Sequence, residues 1–303
     1  MRTKSLILLV VCFALIVSAF SASAFNVDDL TRLRETGFCS GGDLSGANFE
    51  RKFLNCVDLS KADLSKAEFY LADLSGADLS GANLGGAKLC SVKFIHTDLS
   101  KVDLNKAILY GATLTGAKLT GAKLVNANLE LANFTGAIIG DADFTGAKLG
   151  EANLTDADLR KANLIDVDFH SADLNGANFN GAKLNGAKLN GAKLYNAFLI
   201  GVDFRNVTKL FMAKFVNADL RKANFKGVNL WCVNLHGADL RGADLRQAKL
   251  SGVDLRNARL TGADLSDADL SGANLTGVDL SDVNLNGAKL PVNDAWVPFN
   301  CDT

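Results

Sequence analysis

Ala72-Asp73-Leu74-Ser75-Gly76-Ala77-Asp78-Leu79-Ser80-Gly81-Ala82-Asn83-Leu84 repeats itself every five residues. Stepping outward by fives, positions 44 to 204 are all Leu, Phe or Ile, 33 in succession, and after one extra residue between Arg205 and Leu210 the pattern runs from Leu210 to Leu290 for 17 more. Of these 50 centres, 39 are Leu, 10 are Phe and one is Ile139. Two residues before each centre lies a small position, with 36 Ala and 10 Val and the exceptions Gly42, Lys52, Thr97 and Thr208. The residue between the two is mostly polar, and two corner residues follow, often Ser-Gly, Thr-Gly or Asn-Gly.

A period of five fits neither the 3.6 of a helix nor an unbroken strand period of two. Within a unit, however, the small residue and the centre are two apart, so both point to one side of a short extended segment while the residue between them points out. The corner residues have turn chemistry, with glycine free to adopt positive φ. Each pentapeptide is therefore one side and one corner. If each corner turns about 90°, four units close a square coil of 20 residues, and coils stack at the ~4.8 Å strand spacing. Proline is absent from the repeats, where it would remove a ladder N–H; Pro291 and Pro298 follow the last centre.

Units such as Ala72-Asp73-Leu74-Ser75-Gly76 and Ala268-Asp269-Leu270-Ser271-Gly272 resemble the repeating unit of the pentapeptide repeat family over residues 42–292. The resemblance implies an all-β, right-handed quadrilateral parallel β-helix. Fifty units make about twelve coils and a rod roughly 60 Å long at ~4.8 Å per coil.

The ends read differently. Arg2 and Lys4, the apolar run from Leu6 to Phe20 and the Ala22-Ser23-Ala24 site describe a signal peptide over residues 1–24, cleaved after Ala24. An uncleaved anchor is the rival, but the apolar run falls short of the ~20 residues that span a bilayer. Residues 25–41 form an N-terminal cap: Asn26 caps a short helix with Asp29 at its third position, Val27, Leu30 and Leu33 share a face, and Gly37 stops it. Residues 293–303, with Trp296, Val297 and Phe299, form a C-terminal cap or a binding tail. The extra residue at 205–210 reads as a bulge keeping the sides in step, with a functional kink as the alternative.

Removal of the leader takes away two basic residues and Cys12, leaving a net charge of 30 minus 33, or −3, and five cysteines. A Cys39–Cys56 disulfide is expected to clamp the N-terminal cap, and Cys232 could meet Cys301 only if the tail folds back across about three coils.

No constellation carries chemistry. His96, His170 and His236 occupy outward positions in distant coils, and no phosphate loop, CxxC pair or HExxH occurs, so the chain reads as non-enzymatic, without metal or cofactor. Surface pattern is more informative. Assigning units to four sides in rotation gathers Tyr70, Leu71, Cys90, Ile108, Tyr110, Leu131, Phe211, Met212, Trp231 and Cys232 on one of them, a candidate surface for a protein partner or self-association; scattered exposed apolar residues are the alternative. Residues 205–260 hold 11 Lys+Arg against four Asp. The basic belt they suggest, Arg221, Lys222, Lys226, Arg241, Arg246, Lys249, Arg256 and Arg259, could touch a polyanion or an acidic membrane surface weakly, or be a solvated wall.

These features describe an exported structural or interaction module, similar to the secreted and lumenal members of the family, resident in a periplasm, thylakoid lumen or extracellular space. The other reading the resemblance implies is a gyrase-protecting DNA mimic. An acidic row of Asp43, Asp63, Asn83, Asp103, Asp143, Asp203, Asp244 and Asp264 favours it. The signal peptide, the interruptions at Lys123 and Lys183 and the small net charge oppose it, and no nucleic acid partner is expected.

Overall fold

Five backbone N–H groups per pentapeptide must find acceptors, and the way they do so defines the architecture. In a computed structural model, which describes residues 25–291, the outward residue between small position and centre pairs in parallel with its counterpart 20 residues on, as in the run Asp58, Asp78, Asp98, Lys118. Four sides therefore close each coil. The unit around Leu59 shows the accounting. The Leu59 N–H donates to the Asp78 carbonyl of the next coil (2.8 Å), the Lys61 N–H to Ser80 (2.9 Å), and the Asp58 N–H back to Gly37 (3.0 Å). The Ala62 N–H closes the corner on the Leu59 carbonyl (3.1 Å).

That leaves the N–H of the first corner residue, and the side chain of the outward residue takes it: Ser60 N–H donates to Asp58 Oδ1 at 2.9 Å. This Asx turn is why Asp and Asn recur before the centre. In three units where another residue stands there, an Asn on the coil below substitutes, Asn175 accepting from Tyr195 N–H (2.9 Å) in one of them. Asn105 Oδ1 accepts from Val125 N–H (2.8 Å), in the unit that carries Lys123, and Asn180 Oδ1 accepts from Ile200 N–H (2.8 Å), in the unit that carries Phe198.

Nearly every corner places its second residue in the left-handed region, as a type II turn demands, Asn206 before the extra residue and Asp282 being the exceptions. Glycine does this without strain, as at Gly121 (φ 68°), yet 25 non-glycine residues adopt the same conformation, Lys161 (φ 59°) and Leu131 (φ 60°) among them. At these corners the ladder overrides local preference.

The interior is a single column of Leu or Phe centres and Ala or Val small residues, nearly all inaccessible to solvent. Phenylalanines stack where they coincide on one side, as Phe204 on Phe225 (centroids 4.4 Å apart) and Phe49 on Phe69 (4.9 Å). Thr97, an exception at a small position, donates its hydroxyl to the Leu74 carbonyl (2.8 Å) and so stays buried at little cost.

The first coil is covered by α1, Val27–Thr36, capped by the Asn26 side chain, which accepts from the Asp28 and Asp29 N–H groups, and ended at Gly37 (φ 75°). Leu33 is buried and Phe25 and Leu30 pack partly against the core, but Val27 is turned out to solvent at 61% exposure, contrary to the expected three-residue face. The last coil has no such cover among the described residues: Leu275, Leu280 and Leu285 are only partly buried. The expected leader 1–24 and the tail from 293 onward lie outside the described residues.

The extra residue is a bulge. Thr208 N–H donates to Ala187 while Leu189 N–H donates to the Lys209 carbonyl (2.9 and 2.7 Å), so two residues do what one does elsewhere, opposite Lys188. The Thr208 hydroxyl ties the bulge to the Gly186 and Ala187 carbonyls.

Candidate interaction surface

Numbering the sides from the pairings, the third carries Glu68, Lys88, Ile108, Asn128 and Lys148, and continues through Lys188, Lys209, Asn229, Lys249, Asp269 and Lys289. Residues twenty apart touch: on the first side, the Ser40 and Ser60 hydroxyls are 2.9 Å from one another. The corner after the third side holds Tyr70-Leu71, Cys90, Tyr110, Leu131, Phe211-Met212 and Trp231-Cys232, with Ile108 on the side itself.

The structure thus places every residue of the candidate partner surface along one edge, but in two patches. Tyr70, Leu71, Ile108, Tyr110 and Leu131 form the first, and Phe211, Met212 and Trp231 the second. Gly150, His170 and Asn190 occupy the corner between them over a gap of about 19 Å, four coil spacings. The large groups are 37% (Phe211) to 46% (Leu131) exposed, with Met212 half-buried. Phe211 and Trp231 rings lie 5.3 Å apart in tilted contact.

Two hollows flank Trp231. One, about 430 Å³, is lined by Trp231, Lys249, Ser251, Asp269 and Lys289; the other, about 420 Å³, by Asn190, Lys209, Phe211 and Trp231. The first spans the third side above the indole, from Ser251 at one corner to Gln247 and Asp267 at the other.

The basic residues are distributed differently from a patch. Arg221 and Arg241 stand at the corner of the first side, Arg246 at the second, Arg256 at the fourth and Lys249 on the third, so the belt encircles the rod. Arg221, Arg241, Arg246 and Arg256 each pair with the aspartate two residues earlier, Asp219, Asp239, Asp244 and Asp254, at 2.6 to 2.8 Å. Arg259 reaches Asp239 of the coil below at 3.5 Å. Lys222 and Lys226 occupy the first- and second-side corners of the same coil. The Arg246 hydrogen bond holds the Asp244 carboxyl below its ordinary range against the opposing effect of burial, and Arg160 and Arg205 do the same for Asp158 and Asp203.

The acidic row sits on the second side and is similarly occupied. Asp143 Oδ1 accepts from the Thr145 N–H (3.0 Å), the Thr145 hydroxyl (2.6 Å) and Asn163 Nδ2 (3.0 Å). Asp63 and Asp264 likewise accept from Asn83 and Asn284.

The expected Cys39–Cys56 disulfide is not formed, and both are free thiols. Cys39 stands five residues before Leu44, in the register of the centres, so its Sγ is buried beneath α1 against the Asp29 carbonyl (3.4 Å) and the Arg32 guanidinium (3.6 Å). Cys56 is the second residue of a corner and faces outward, its Sγ beside Gly76 of the next coil. The wall of the rod separates them. Cys90 is also a free thiol; Cys301 lies outside the described residues.

Among the described residues no three His, Cys, Asp or Glu side chains gather to hold a metal, and no helix is long and apolar enough to cross a membrane. His170 lies over Gly150 and pairs with Asp168 (3.0 Å), while His96 stands beside Gly116 on the fourth-side corner.

A family model described as pentapeptide repeats matches in eight copies, at residues 43–81, 82–121, 112–150, 137–176, 152–191, 172–208, 218–257 and 254–290. A search of curated proteins finds no match. Among solved structures, HetL, a pentapeptide repeat protein involved in heterocyst differentiation regulation from the cyanobacterium Nostoc sp. strain PCC 7120, is 32% identical over 88% of this chain and 98% of its own, with a TM-score of 0.45. QnrB1, a plasmid-mediated fluoroquinolone resistance protein, is 20% identical in a trypsin-treated form over 66% of this chain and 89% of its own, TM-score 0.32. A pentapeptide repeat protein from the Arabidopsis thaliana thylakoid lumen is 32% identical over 44% of this chain and 68% of its own, TM-score 0.17.

Proposed function

This chain belongs to the pentapeptide repeat family, and on that premise we propose that it is an exported, non-enzymatic rod that binds a protein partner along its third-side edge. One observation carries the reading: Tyr70, Leu71, Ile108, Tyr110 and Leu131, each more than two-fifths exposed, converge on one edge over four coils while the outward positions of the unit are otherwise mostly polar. Apolar groups gathered on one edge of a rigid wall, with the Glu68–Lys88 ion pair beside them, are what an interface core with a polar rim needs. The rod supplies the rest, since a ladder-locked backbone needs no further ordering to present these side chains.

Export rests on the leader pattern at residues 1–24, and the compartment is the periplasm, a thylakoid lumen or the exterior. The DNA-mimic alternative loses its main support, because the aspartates of the second side are committed to backbone and Asn donors and Lys123 and Lys183 interrupt the row.

The test combines fractionation with cross-linking. A photoreactive residue in place of Tyr110 should capture one discrete protein, another species or a second copy of this chain, in the exported fraction. The same group in place of Asn133 on the fourth side should capture none, and Tyr70→Ser with Leu131→Ser should abolish the product. Equal cross-linking from both sides, or an unprocessed protein confined to the cytoplasm, would overturn the reading.

A further inference from the structure

The coil that carries the extra residue is tied to the coil below it but not, on the third side, to the coil above. Below, the Thr208 N–H donates to the Ala187 carbonyl, the Gly191 N–H to that of Phe211, and Lys209 pairs with Lys188. Above, the ladder calls for the Leu210 N–H on the Asn229 carbonyl, the Met212 N–H on Trp231 and the Asn229 N–H on Thr208. The equivalent donors one side further on, Phe215, Asn217 and Asn234, make these bonds at 2.7, 2.9 and 3.0 Å. On the third side none of the three forms among the described residues, and Lys209 and Asn229 do not pair. The flanking sides are closed, by the Phe204 N–H on the Asn224 carbonyl (2.9 Å) and the Phe215 N–H on that of Asn234 (2.7 Å). A slot therefore opens between bonded walls, with three donors and three acceptors left without partners across it. The interior is less covered there: Leu210 is 4% and Val228 7% exposed, where most interior residues are at zero.

The slot meets the 420 Å³ hollow, which reaches from Asn190 and Thr208 to Leu210, Asn229 and Trp231. Asn229 and Trp231 also line the 430 Å³ hollow above, which Gln247, Lys249, Ser251 and Asp269 complete. The exposed indole thus stands between two polar hollows, with the Phe211 ring against it. A second polypeptide cannot enter the slot, since an inserted strand needs a spacing of ~4.8 Å to each neighbour and the walls are bonded. A pendant amide can: its carbonyl accepts from the Leu210 N–H and its N–H donates to the Asn229 carbonyl, which restores both halves of the missing bond. Beside the slot, the indole offers a face on which the C–H groups of a pyranose ring pack, and the amides of Asn190, Asn229 and Gln247 donate to and accept from hydroxyls. An N-acetylated sugar carries all three features.

We propose that the third side around Trp231 binds a neutral glycan of N-acetylated sugars, with one ring on the indole, its acetamido group in the slot between Leu210 and Asn229, and the next ring in the hollow toward Gln247 and Asp269. The site uses the Phe211–Trp231 patch and leaves the Tyr70–Leu131 patch to the protein partner, so neither reading depends on the other.

The experiment titrates the purified full chain with the chitin tetrasaccharide by calorimetry and, in Trp296→Phe, which leaves Trp231 as the single indole, by fluorescence. Saturable binding with a blue shift of the indole emission is expected. The cellulose tetrasaccharide, which lacks acetamido groups, and the variant Trp231→Ala should each bind about tenfold more weakly or worse. Deleting Thr208 restores the five-residue register as Arg205-Asn206-Val207-Lys209-Leu210, so the ladder should close, the melting temperature should not fall, and the glycan should be lost with both rings still present. Should that deletion unfold the rod, Trp231→Ala, at an exposed position, and the cellulose comparison decide. The proposal is overturned if the chitin tetrasaccharide does not bind, if the cellulose tetrasaccharide or adenosine binds as tightly, or if binding survives in a folded protein without Thr208.

Discussion

Replacing Asp143 by alanine removes the acceptor of three hydrogen bonds while touching no core residue. Its Oδ1 receives the Thr145 N–H, the Thr145 hydroxyl and the Asn163 amide at 2.6 to 3.0 Å, and Asn163 belongs to the coil above. With a net value of about 0.5–1.5 kcal/mol per hydrogen bond, and water able to replace part of each at a half-exposed site, the loss should be about 2 kcal/mol. For a rod of this length that corresponds to roughly 4–8 °C in melting temperature. Asp143→Asn keeps an Oδ1 at the same place and should cost well under half as much. Asp143→Glu moves the carboxylate out of the Asx geometry and should behave like alanine. Thermal and urea unfolding followed by circular dichroism would measure all three, after verifying that each variant melts in one transition. The reasoning fails if asparagine is as damaging as alanine, because the row would then matter for its charge rather than for its acceptors, and the DNA-mimic reading would regain its ground.

Two further outcomes follow from the corners and the ion pairs. Lys161→Gly should stabilise the rod by about 0.5–1 kcal/mol, since Lys161 sits at φ 59° where glycine alone is free of strain; Lys161→Val, measured the same way, should be destabilising. Asp158, Asp203 and Asp244 have folded-state pKa values lowered by the arginines two residues on. Their contribution is therefore complete above the ordinary carboxylate value of 3.8 and is lost as pH falls through the lowered values. Urea midpoints should be flat from neutral pH to about 5 and drop below about 4, and Arg160→Gln, Arg205→Gln and Arg246→Gln together should shrink that drop; an unchanged pH profile would sink the assignment.

The four-sided coil was legible because its cause is periodic: each Leu and Ala declares its register every five residues. What the period could not show was where a residue off the consensus points. Cys39 and Cys56 look like partners when counted along the chain, and the signal that separates them is that 39 extends the series 44, 49, 54 downward by one step while 56 does not. The basic belt has a similar explanation. A sum of charges over residues 205–260 hides the triplets Asp219-Leu220-Arg221, Asp239-Leu240-Arg241, Asp244-Leu245-Arg246 and Asp254-Leu255-Arg256, in which acid and base flank a buried centre and so emerge side by side. The apolar edge could be assigned by rotating units through four sides. Its division into two patches depends on side-chain size, and the hollow above Trp231 appears only once the coils are stacked.

Everything said about surfaces depends on outward residues twenty apart forming one row. Pulsed electron paramagnetic resonance between spin labels on the third side measures that directly, in a background with the exposed cysteines replaced. Labels at Lys88 and Lys148 are three coils apart and at Lys88 and Lys188 five, so the backbone separations should be about 14 and 24 Å, rising by ~4.8 Å for every twenty residues. Distances that do not grow in that proportion, or a pair at Lys88 and Lys188 closer than the pair at Lys88 and Lys148, would contradict the account.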